Sequence, residues 1–267
     1  MPALVPSAGW APSGTARNVV PAVEVCGLTR RFGSRTVLDR IDLTVGVRER
    51  AGIWGPNGSG KTTLLRCLAG TLTPSAGRAS VLGHLSGSRA ARHALGVCLA
   101  QERAFYGRLS GRDNLLFAAR LRIGPVGAAG AVAAICEELA LGSFAGMPVE
   151  RYSSGMRARL ALGRALLGHP EVILLDEPTR SLDDAASQLV WAALARRPDL
   201  TVVVASPRRA DLTWCSRVVD LARLAAQGQA AQGQAAQGQA APGQAAPGQA
   251  APGQAAQHPA ARHPAPR

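Results

Sequence analysis

Apolar residues are concentrated in four short runs, each followed by a glycine-rich or polar segment. The runs occupy residues 50–54, 96–100, 171–176 and 201–205 and are rich in Val, Ile, Leu and Ala. A continuous apolar run, as opposed to an alternating one, is typical of a strand that is buried on both faces. The runs therefore predict an α/β fold with a mainly parallel central sheet.

The two ends of the chain differ from residues 23–224, which have the mixed apolar and charged composition of one folded domain. Residues 1–22 are rich in Pro, Ala, Gly and Ser, and they lack the basic start and apolar stretch of a signal peptide. Residues 225–267 repeat Ala-Ala-Gln-Gly-Gln and then Ala-Ala-Pro-Gly-Gln. We expect both ends to be disordered, because they have few large apolar side chains to bury.

The chain carries a formal net charge of +13. A basic surface favours nucleic acid or an anionic membrane surface as its neighbour. Aromatic residues make up 4% of the chain and no long basic run is present, so we expect no direct nucleic-acid partner. The charge instead favours a position near an anionic cytoplasmic leaflet.

Five cysteines lie far apart in the sequence and include no Cys-x-x-Cys pair. This pattern favours buried thiols in a reducing compartment over disulfides or a metal site. No apolar run reaches the roughly 18 residues that a membrane-spanning helix needs. A membrane role therefore requires a partner protein.

The most specific segment surrounds Lys61, the only lysine in the chain. It completes the pattern G-x-x-x-x-G-K-[ST] between the strand predicted at 50–54 and a helix predicted over 63–69. Glycines in this pattern let backbone N–H groups approach phosphate oxygens, the lysine reaches the β- and γ-phosphates, and the next hydroxyl binds Mg²⁺. A glycine-rich turn that binds nothing is the disfavoured alternative, because every position of the pattern matches. The predicted phosphate-binding residues are Gly55, Pro56, Asn57, Gly58, Ser59, Gly60, Lys61, Thr62 and Thr63.

Two carboxylates, Asp176 and Glu177, close the apolar run at 171–176. A central parallel strand delivers such acids to its C-terminal edge. There Asp176 is predicted to hold Mg²⁺ together with Thr62, and Glu177 to orient and deprotonate an attacking water. The alternative is a strand that ends in a solvated acidic turn.

Ser153 and Gly155 lie just before a helix predicted over 158–167. A hydroxyl and free N–H groups at a helix N-terminus can bind a γ-phosphate. An ordinary helix cap is the commoner meaning of such residues. Both interpretations stay open on this segment alone.

With these motifs in this order, residues 23–220 resemble the ATP-binding subunit of ATP-binding cassette (ABC) transporters. The ordered matches also include Gln101 at the end of a strand, the segment 152–156, and the segment 181–183. The resemblance implies a P-loop NTPase fold with an antiparallel β portion near the N-terminus and a helical subdomain over about 102–150. It also implies a head-to-tail dimer with two molecules of ATP held between its subunits.

Further site residues follow from the resemblance. Phe32 would stack on adenine, and Gln101 would sense Mg²⁺ and the attacking water. Ser153 and Gly155 would contact the γ-phosphate bound to the other subunit, and Asp183 would reach across the dimer. Taken singly, Phe32 and Gln101 also suit a core position and an ordinary strand end.

The chain departs from the family at two places. The segment 152–156 reads Tyr-Ser-Ser-Gly-Met where the family commonly has Leu-Ser-Gly-Gly-Gln, which is similar to ABC-2 type exporters. After the strand at 201–205 the family places a histidine, whereas this chain has Ser206 and Pro207. Arg208 or Arg209 is a candidate replacement cation, and the rate of hydrolysis is the property placed in doubt.

We therefore expect an ATPase subunit with ATP and Mg²⁺ as cofactors, which powers a separately encoded permease, most simply an exporter, from the cytoplasmic face of the membrane. Its second ATP-binding subunit is either a copy or a different chain. A hydrolysis-impaired clamp or regulatory subunit is the alternative. A cassette ATPase acting on ribosomes or DNA would be expected to have two cassettes or a long coiled coil.

Overall fold

The computed structural model describes residues 20–99 and 105–228. The prediction for Gln101 falls outside these residues. The same is true of the disorder expected for residues 1–19 and 229–267.

Short strands alternate with helices along the described chain. The strands are β1 (Val23–Phe32), β2 (Arg35–Val45), β3 (Arg50–Trp54), β4 (Ala76–Val81), β5 (His84–Leu85), β6 (Leu95–Cys98), β7 (Val172–Asp176), β8 (Thr201–Ser206) and β9 (Arg217–Asp220). The helices are α1 (Lys61–Leu68), α2 (Arg89–Ala94), α3 (Gly111–Ile123), α4 (Ala128–Glu138), α5 (Ser154–Leu166) and α6 (Asp184–Ala195). Two 3₁₀ turns, Val149–Arg151 and Arg209–Leu212, and a helix at residues 221–228 complete the described elements.

A five-stranded parallel sheet in the order β6-β7-β8-β3-β9 lies at the centre of the fold. Every residue of β7 and β8 is buried, as their continuous apolar runs predict. The predicted α/β class with a mainly parallel sheet is confirmed. Because parallel strands end at one edge, the segments that follow β3, β7 and β8 lie along the same edge of the sheet.

A second sheet, in the order β2-β1-β4-β5, is antiparallel throughout. It confirms the antiparallel portion expected near the N-terminus. Its β1–β2 hairpin reaches the loop that follows β3, since Val37 and Leu38 of β2 lie beside Gly60.

Two apolar cores lie on opposite faces of the parallel sheet. Side chains of β7 alternate between them, with Val172 and Leu174 in the core around α1 and Ile173 and Leu175 in the core around α3–α6. The second core joins the helical subdomain to the sheet. Buried packing on both faces fixes the position at which β7 ends.

The start of α5 is seated in the helical subdomain by Tyr152. Its hydroxyl donates to the carbonyl oxygen of Phe144 at 2.7 Å, and the two rings meet edge to face at 5.0 Å. Within residues 20–99 and 105–228, no helix is long and apolar enough to cross a membrane.

Three predicted boundaries differ from the structure. Helix α1 begins at Lys61 instead of residue 63, and α5 begins at Ser154 instead of residue 158, because Gly60 and Ser153 act as their N-caps. The helix at 221–228 passes the predicted domain boundary at residue 224, and Ala225 packs against the core around α1. The repeat composition that begins at Ala225 therefore does not mark the end of ordered structure.

Candidate functional site

The loop between β3 and α1 requires glycine at two of its positions. Gly58 and Gly60 have left-handed φ angles of +79° and +101°. A Cβ atom on Gly60 would also lie 2.8 Å from Leu38 Cδ2 and 3.1 Å from the Val37 carbonyl oxygen. The β1–β2 hairpin thus packs directly on the end of the predicted phosphate-binding loop.

Lys61 begins α1, and its ammonium group lies on that loop. Nζ donates hydrogen bonds to the carbonyl oxygens of Gly55 at 2.7 Å and Pro56 at 2.8 Å. Burial lowers the pKa of Lys61, and the carboxylates of Glu177 and Asp176 oppose that shift. The ammonium is therefore held where it can exchange carbonyl partners for phosphate oxygens.

Thr62 and Asp176 meet where α1 begins and β7 ends. Thr62 Oγ1 donates to Asp176 Oδ2 at 2.7 Å. Burial raises the pKa of Asp176 and outweighs the opposing effect of the Thr62 hydrogen bond. Its other oxygen, Oδ1, is buried and has no hydrogen-bonding partner among the described residues. A hydroxyl and a buried carboxylate with one unsatisfied oxygen fit Mg²⁺, which prefers oxygen ligands.

Glu177 follows β7 directly in a strained backbone conformation, with φ at +47°. Its N–H donates to the carbonyl oxygen of Ala205 on β8 at 2.9 Å. The carboxylate lies 3.3 Å from the guanidinium of Arg180, whose side chain is largely exposed. Because Arg180 is 71% exposed and Glu177 only 16%, water screens this pair mainly at Arg180, and the carboxylate keeps the position expected of a proton acceptor.

A cavity of about 410 Å³ lies between the end of β7 and the start of α5. Asp176 and Glu177 line it together with Ser154 and Arg157. Ser154 is the residue at the start of α5 that lines this cavity, and the predicted contacts of Ser153 and Gly155 concern the other subunit.

Ser153 and Asp183 both cap helices within this chain. Ser153 Oγ accepts the Met156 N–H at 3.2 Å, and Asp183 Oδ1 accepts the Ala186 N–H at 2.7 Å. A Cβ atom on Gly155 would lie 3.0 Å from the carbonyl oxygen of Ser181, so the segments that contain Ser153 and Asp183 touch. Their contacts with a nucleotide stay predictions.

Phe32 ends β1 with 46% of its surface exposed. The Arg30 guanidinium lies 4.5 Å from its ring centroid. This exposure disfavours the core alternative and is compatible with stacking on a base.

Ser206, the last residue of β8, is fully buried, and its hydroxyl donates to Asp211 Oδ2 at 2.6 Å. The Arg208 guanidinium is bound by the same carboxylate and by the Thr179 hydroxyl. Asp211 is not among the residues predicted from the sequence, although an acid three residues after an arginine is a recognisable ion-pair spacing. Ser206 and Arg208 therefore both bind the Asp211 carboxylate, beside the sheet edge that carries the predicted catalytic residues.

Residues 38–180 match the protein family described as "ABC transporter". The chain is 40% identical over 173 residues to the daunorubicin resistance ATP-binding protein DrrA3 of Streptomyces coeruleorubidus, with 64% of this chain and 54% of that protein covered. It is 36% identical over 181 residues to the Nod factor export ATP-binding protein I of Rhizobium sp. (strain N33), with 65% and 58% covered. The chain thus spans little more than half the length of these relatives.

Among solved structures, the fold is similar to a dimeric structure of a post-hydrolysis state of the ATP-binding cassette MJ0796 bound to ADP and Pi. The TM-score is 0.68 at 21% sequence identity, with 74% of this chain and 93% of that chain covered. A second dimeric structure of MJ0796, described as a bacterial ABC transporter cassette, gives a TM-score of 0.69. At this identity the likeness establishes the fold.

Proposed function

The chain belongs to the ABC transporter family, and from this premise we propose that it is the ATP-hydrolysing subunit of an exporter. The observation that carries the proposal is the contact between Thr62 and Asp176 beside Lys61, where the helix that follows the loop after β3 meets the end of β7. The relatives named for daunorubicin resistance and Nod factor export favour export as the process that ATP powers.

ATP binds with its phosphates against the loop at residues 55–60, where backbone N–H groups and Lys61 neutralise their charge. Thr62 and Asp176 would hold Mg²⁺, whose charge would offset that of the phosphates. Glu177 accepts a proton from the water that attacks the γ-phosphate, and ADP and phosphate are released. The Glu177 N–H bond to the Ala205 carbonyl oxygen ties the backbone of this base to β8.

Two such subunits face each other head to tail around two molecules of ATP. Ser153 and Gly155 lie at the N-terminus of α5, a helix long enough to present N–H groups to a phosphate on the opposite subunit. Phe32 supplies an exposed ring for the adenine base. Asp183 directly follows Ser181 and Leu182, which lie beside Gly155 at the start of α5. Gln101 is assigned the water-sensing role. The fold neighbours described as dimeric support this arrangement.

A separately encoded permease docks on an apolar groove of the helical subdomain, which holds the subunit at the cytoplasmic face of the membrane. Phe105, Tyr106, Phe117 and Leu121 line the groove, and Leu121 is 75% exposed. Exposed apolar patches of this kind mark interaction sites. Phe105 also lines the cavity that Glu177 lines, so this side chain separates the docked permease from the cavity of the catalytic acid.

A hydrolysis-impaired clamp or regulatory subunit is the second candidate. It is favoured by the sequence Ser206-Pro207 after β8, because neither residue offers a charged donor to a phosphate. Glu177 beside the buried Asp176 favours hydrolysis.

Phosphate release from ATP by the purified protein tests the proposal. We expect release that requires Mg²⁺ and is lost in Lys61→Ala. Equal release from the parent and Lys61→Ala would contradict the proposed site. ATP-dependent dimerisation without any release would instead support the clamp.

A further inference from the structure

A buried carboxylate outside the predicted site, that of Asp211, gathers three side chains around it. Ser206 Oγ donates to it at 2.6 Å, Thr179 Oγ1 at 2.9 Å, and Arg208 at 3.0 Å through Nε and 2.7 Å through one terminal nitrogen. The same terminal nitrogen of Arg208 donates to Thr179 Oγ1 at 2.9 Å. Asp211, Thr179 and Ser206 are buried, whereas 55% of the Arg208 side chain is exposed, so the carboxylate is shielded from water while the arginine borders solvent.

The cluster joins two segments that both leave the sheet at its catalytic edge. Thr179 is two residues past Glu177, in the turn after β7. Ser206 ends β8, and Arg208 and Asp211 belong to the turn after it. The bonds therefore fasten the turn that contains Glu177 to the end of the neighbouring strand.

Glu177 needs such a fastening because its backbone is strained. A non-glycine residue with φ at +47° persists only where the surrounding structure enforces it. The Glu177 N–H bond to Ala205 enforces it from one side, and the Arg180 N–H bond to the Glu177 carbonyl oxygen, at 3.1 Å, closes the turn. The side-chain cluster around Asp211 holds the same turn two residues further on.

Resting on the proposed ATPase function, we propose that Arg208 and Asp211 are positioning residues, which clamp the Glu177–Thr179 turn to the end of β8 and so hold the catalytic carboxylate in place. The bidentate hydrogen bonding of Arg208 to Asp211 opposes the other role open to it, a swing toward the γ-phosphate.

The pKa values of the two groups agree with a tight pair. Burial would raise the pKa of Asp211, but hydrogen bonds from Arg208, Ser206 and Thr179 outweigh it and the pKa is lowered. The hydrogen bond with Asp211 raises the pKa of Arg208, and the charge of Glu177 adds to this shift. Arg208 therefore lies within the electrostatic reach of the proposed base.

The kinetic test compares Arg208→Ala and Asp211→Asn with Arg196→Ala, a matched control because Arg196 is 56% exposed against 55% for Arg208 and its ion pair with Glu138 lies outside the cluster. Misplacing a catalytic group costs about 10–100-fold in rate, so we expect kcat for ATP to fall in this range in the first two variants, with KM changed by less than about two-fold. Arg208→Lys should recover part of the loss, since it restores the charge without the planar fork. Parental kcat in Arg208→Ala would overturn the proposal.

Removal of Glu177 separates positioning from a direct phosphate contact. In a Glu177→Gln background, adding Arg208→Ala should leave the residual rate and the ATP affinity unchanged, because its effect passes through Glu177. A further loss of rate or affinity would show that Arg208 contacts the nucleotide and would contradict its role as a positioning residue.

Amide hydrogen exchange tests, without any need for ATP turnover, whether Arg208 and Asp211 hold the Glu177–Thr179 turn in place. Exchange in residues 177–182 should be faster in Arg208→Ala and Asp211→Asn than in the parent or Arg196→Ala, and by more than the loss of global stability in each variant accounts for. Equal exchange in all four proteins would overturn the positioning role of Arg208 and Asp211 even if ATP hydrolysis is fast. Conversely, a parent protein that does not hydrolyse ATP would contradict the proposed function. The exchange result would still decide whether Arg208 and Asp211 hold the turn.

Discussion

The Thr62 hydroxyl donates to the Asp176 carboxylate at 2.7 Å across 114 positions of sequence. Thr62 lies in the first turn of the helix after the phosphate-binding loop, and Asp176 ends the strand that precedes the proposed base. The contact joins the two halves of the proposed site, and it leaves Asp176 Oδ1 as a buried oxygen without a hydrogen bond in the described part of the chain. The buried, unsatisfied oxygen lowers the stability of the fold, but it is also the oxygen that a Mg²⁺ ion can use.

Asp176→Asn should stabilise the protein without Mg²⁺ and abolish Mg²⁺-dependent hydrolysis. Burial raises the folded-state pKa of this acid, so its ionised form costs stability above its ordinary pKa, and that cost disappears as the pH falls through the raised value. Asparagine avoids the cost but is a poor Mg²⁺ ligand. Thermal melting and phosphate release check both effects, with Asp199→Asn, an 81% exposed acid, as the control. A lower melting temperature for Asp176→Asn would contradict the argument.

Lys61→Ala should weaken ATP binding by tens of fold. It removes a charge-assisted contact with the phosphates that is worth about 1.5–3 kcal/mol. Calorimetric titration with ATP measures the loss, and Arg92→Ala on α2 serves as a control for a cation elsewhere on the surface. Equal affinity of Lys61→Ala and the parent would refute the assignment of the loop.

A histidine at the end of β8 should have opposite effects at two adjacent positions. Pro207→His should raise the rate of ATP turnover, whereas Ser206→His should lower the stability of the protein. Ser206 is fully buried with its hydroxyl bonded to Asp211, so a larger ring there must displace the cluster. Pro207 is partly exposed and supplies no donor of its own. Steady-state ATPase rates and melting temperatures of Pro207→His and Ser206→His check the two expectations. Fast parental turnover that Pro207→His fails to increase would show that another group already fills the role.

Asp211→Asn should destabilise the protein near neutral pH and lose this effect on acidification. Hydrogen bonds outweigh burial and lower the folded-state pKa of Asp211. A lowered pKa stabilises the fold above the ordinary pKa of the acid, and the contribution is lost as the pH falls through the folded value. Urea unfolding of the parent and the variant over a series of acidic pH values measures the difference. A difference that grows as the pH falls would have the wrong sign.

Much of the site could be predicted from local sequence because its residues occur in contiguous segments. The loop around Lys61 and the buried run that ends at Asp176 each carry their own signal, and the sheet places both at one edge. The α5 boundary at Ser154 was harder to predict, since Ser153 suits both a cap and an anion site.

The cluster around Asp211 could not be predicted in the same way. Thr179 and Asp211 are 32 positions apart, and their contact exists only because β7 and β8 are neighbours in the sheet. Arg208 alone suggests a free cation, whereas its partners depend on this tertiary placement. Strand order, which the sequence does not state, therefore decides the role of this arginine.

Size-exclusion chromatography of Glu177→Gln with Mg-ATP tests the central claim most directly. Glutamine keeps the size of the side chain but cannot accept the proton, so ATP should stay unhydrolysed between two subunits. We predict a dimer peak that contains intact ATP in Glu177→Gln and its absence in the Lys61→Ala/Glu177→Gln double variant. A Glu177→Gln protein that elutes as the same species as the parent, or that releases phosphate at the parental rate, would contradict the account.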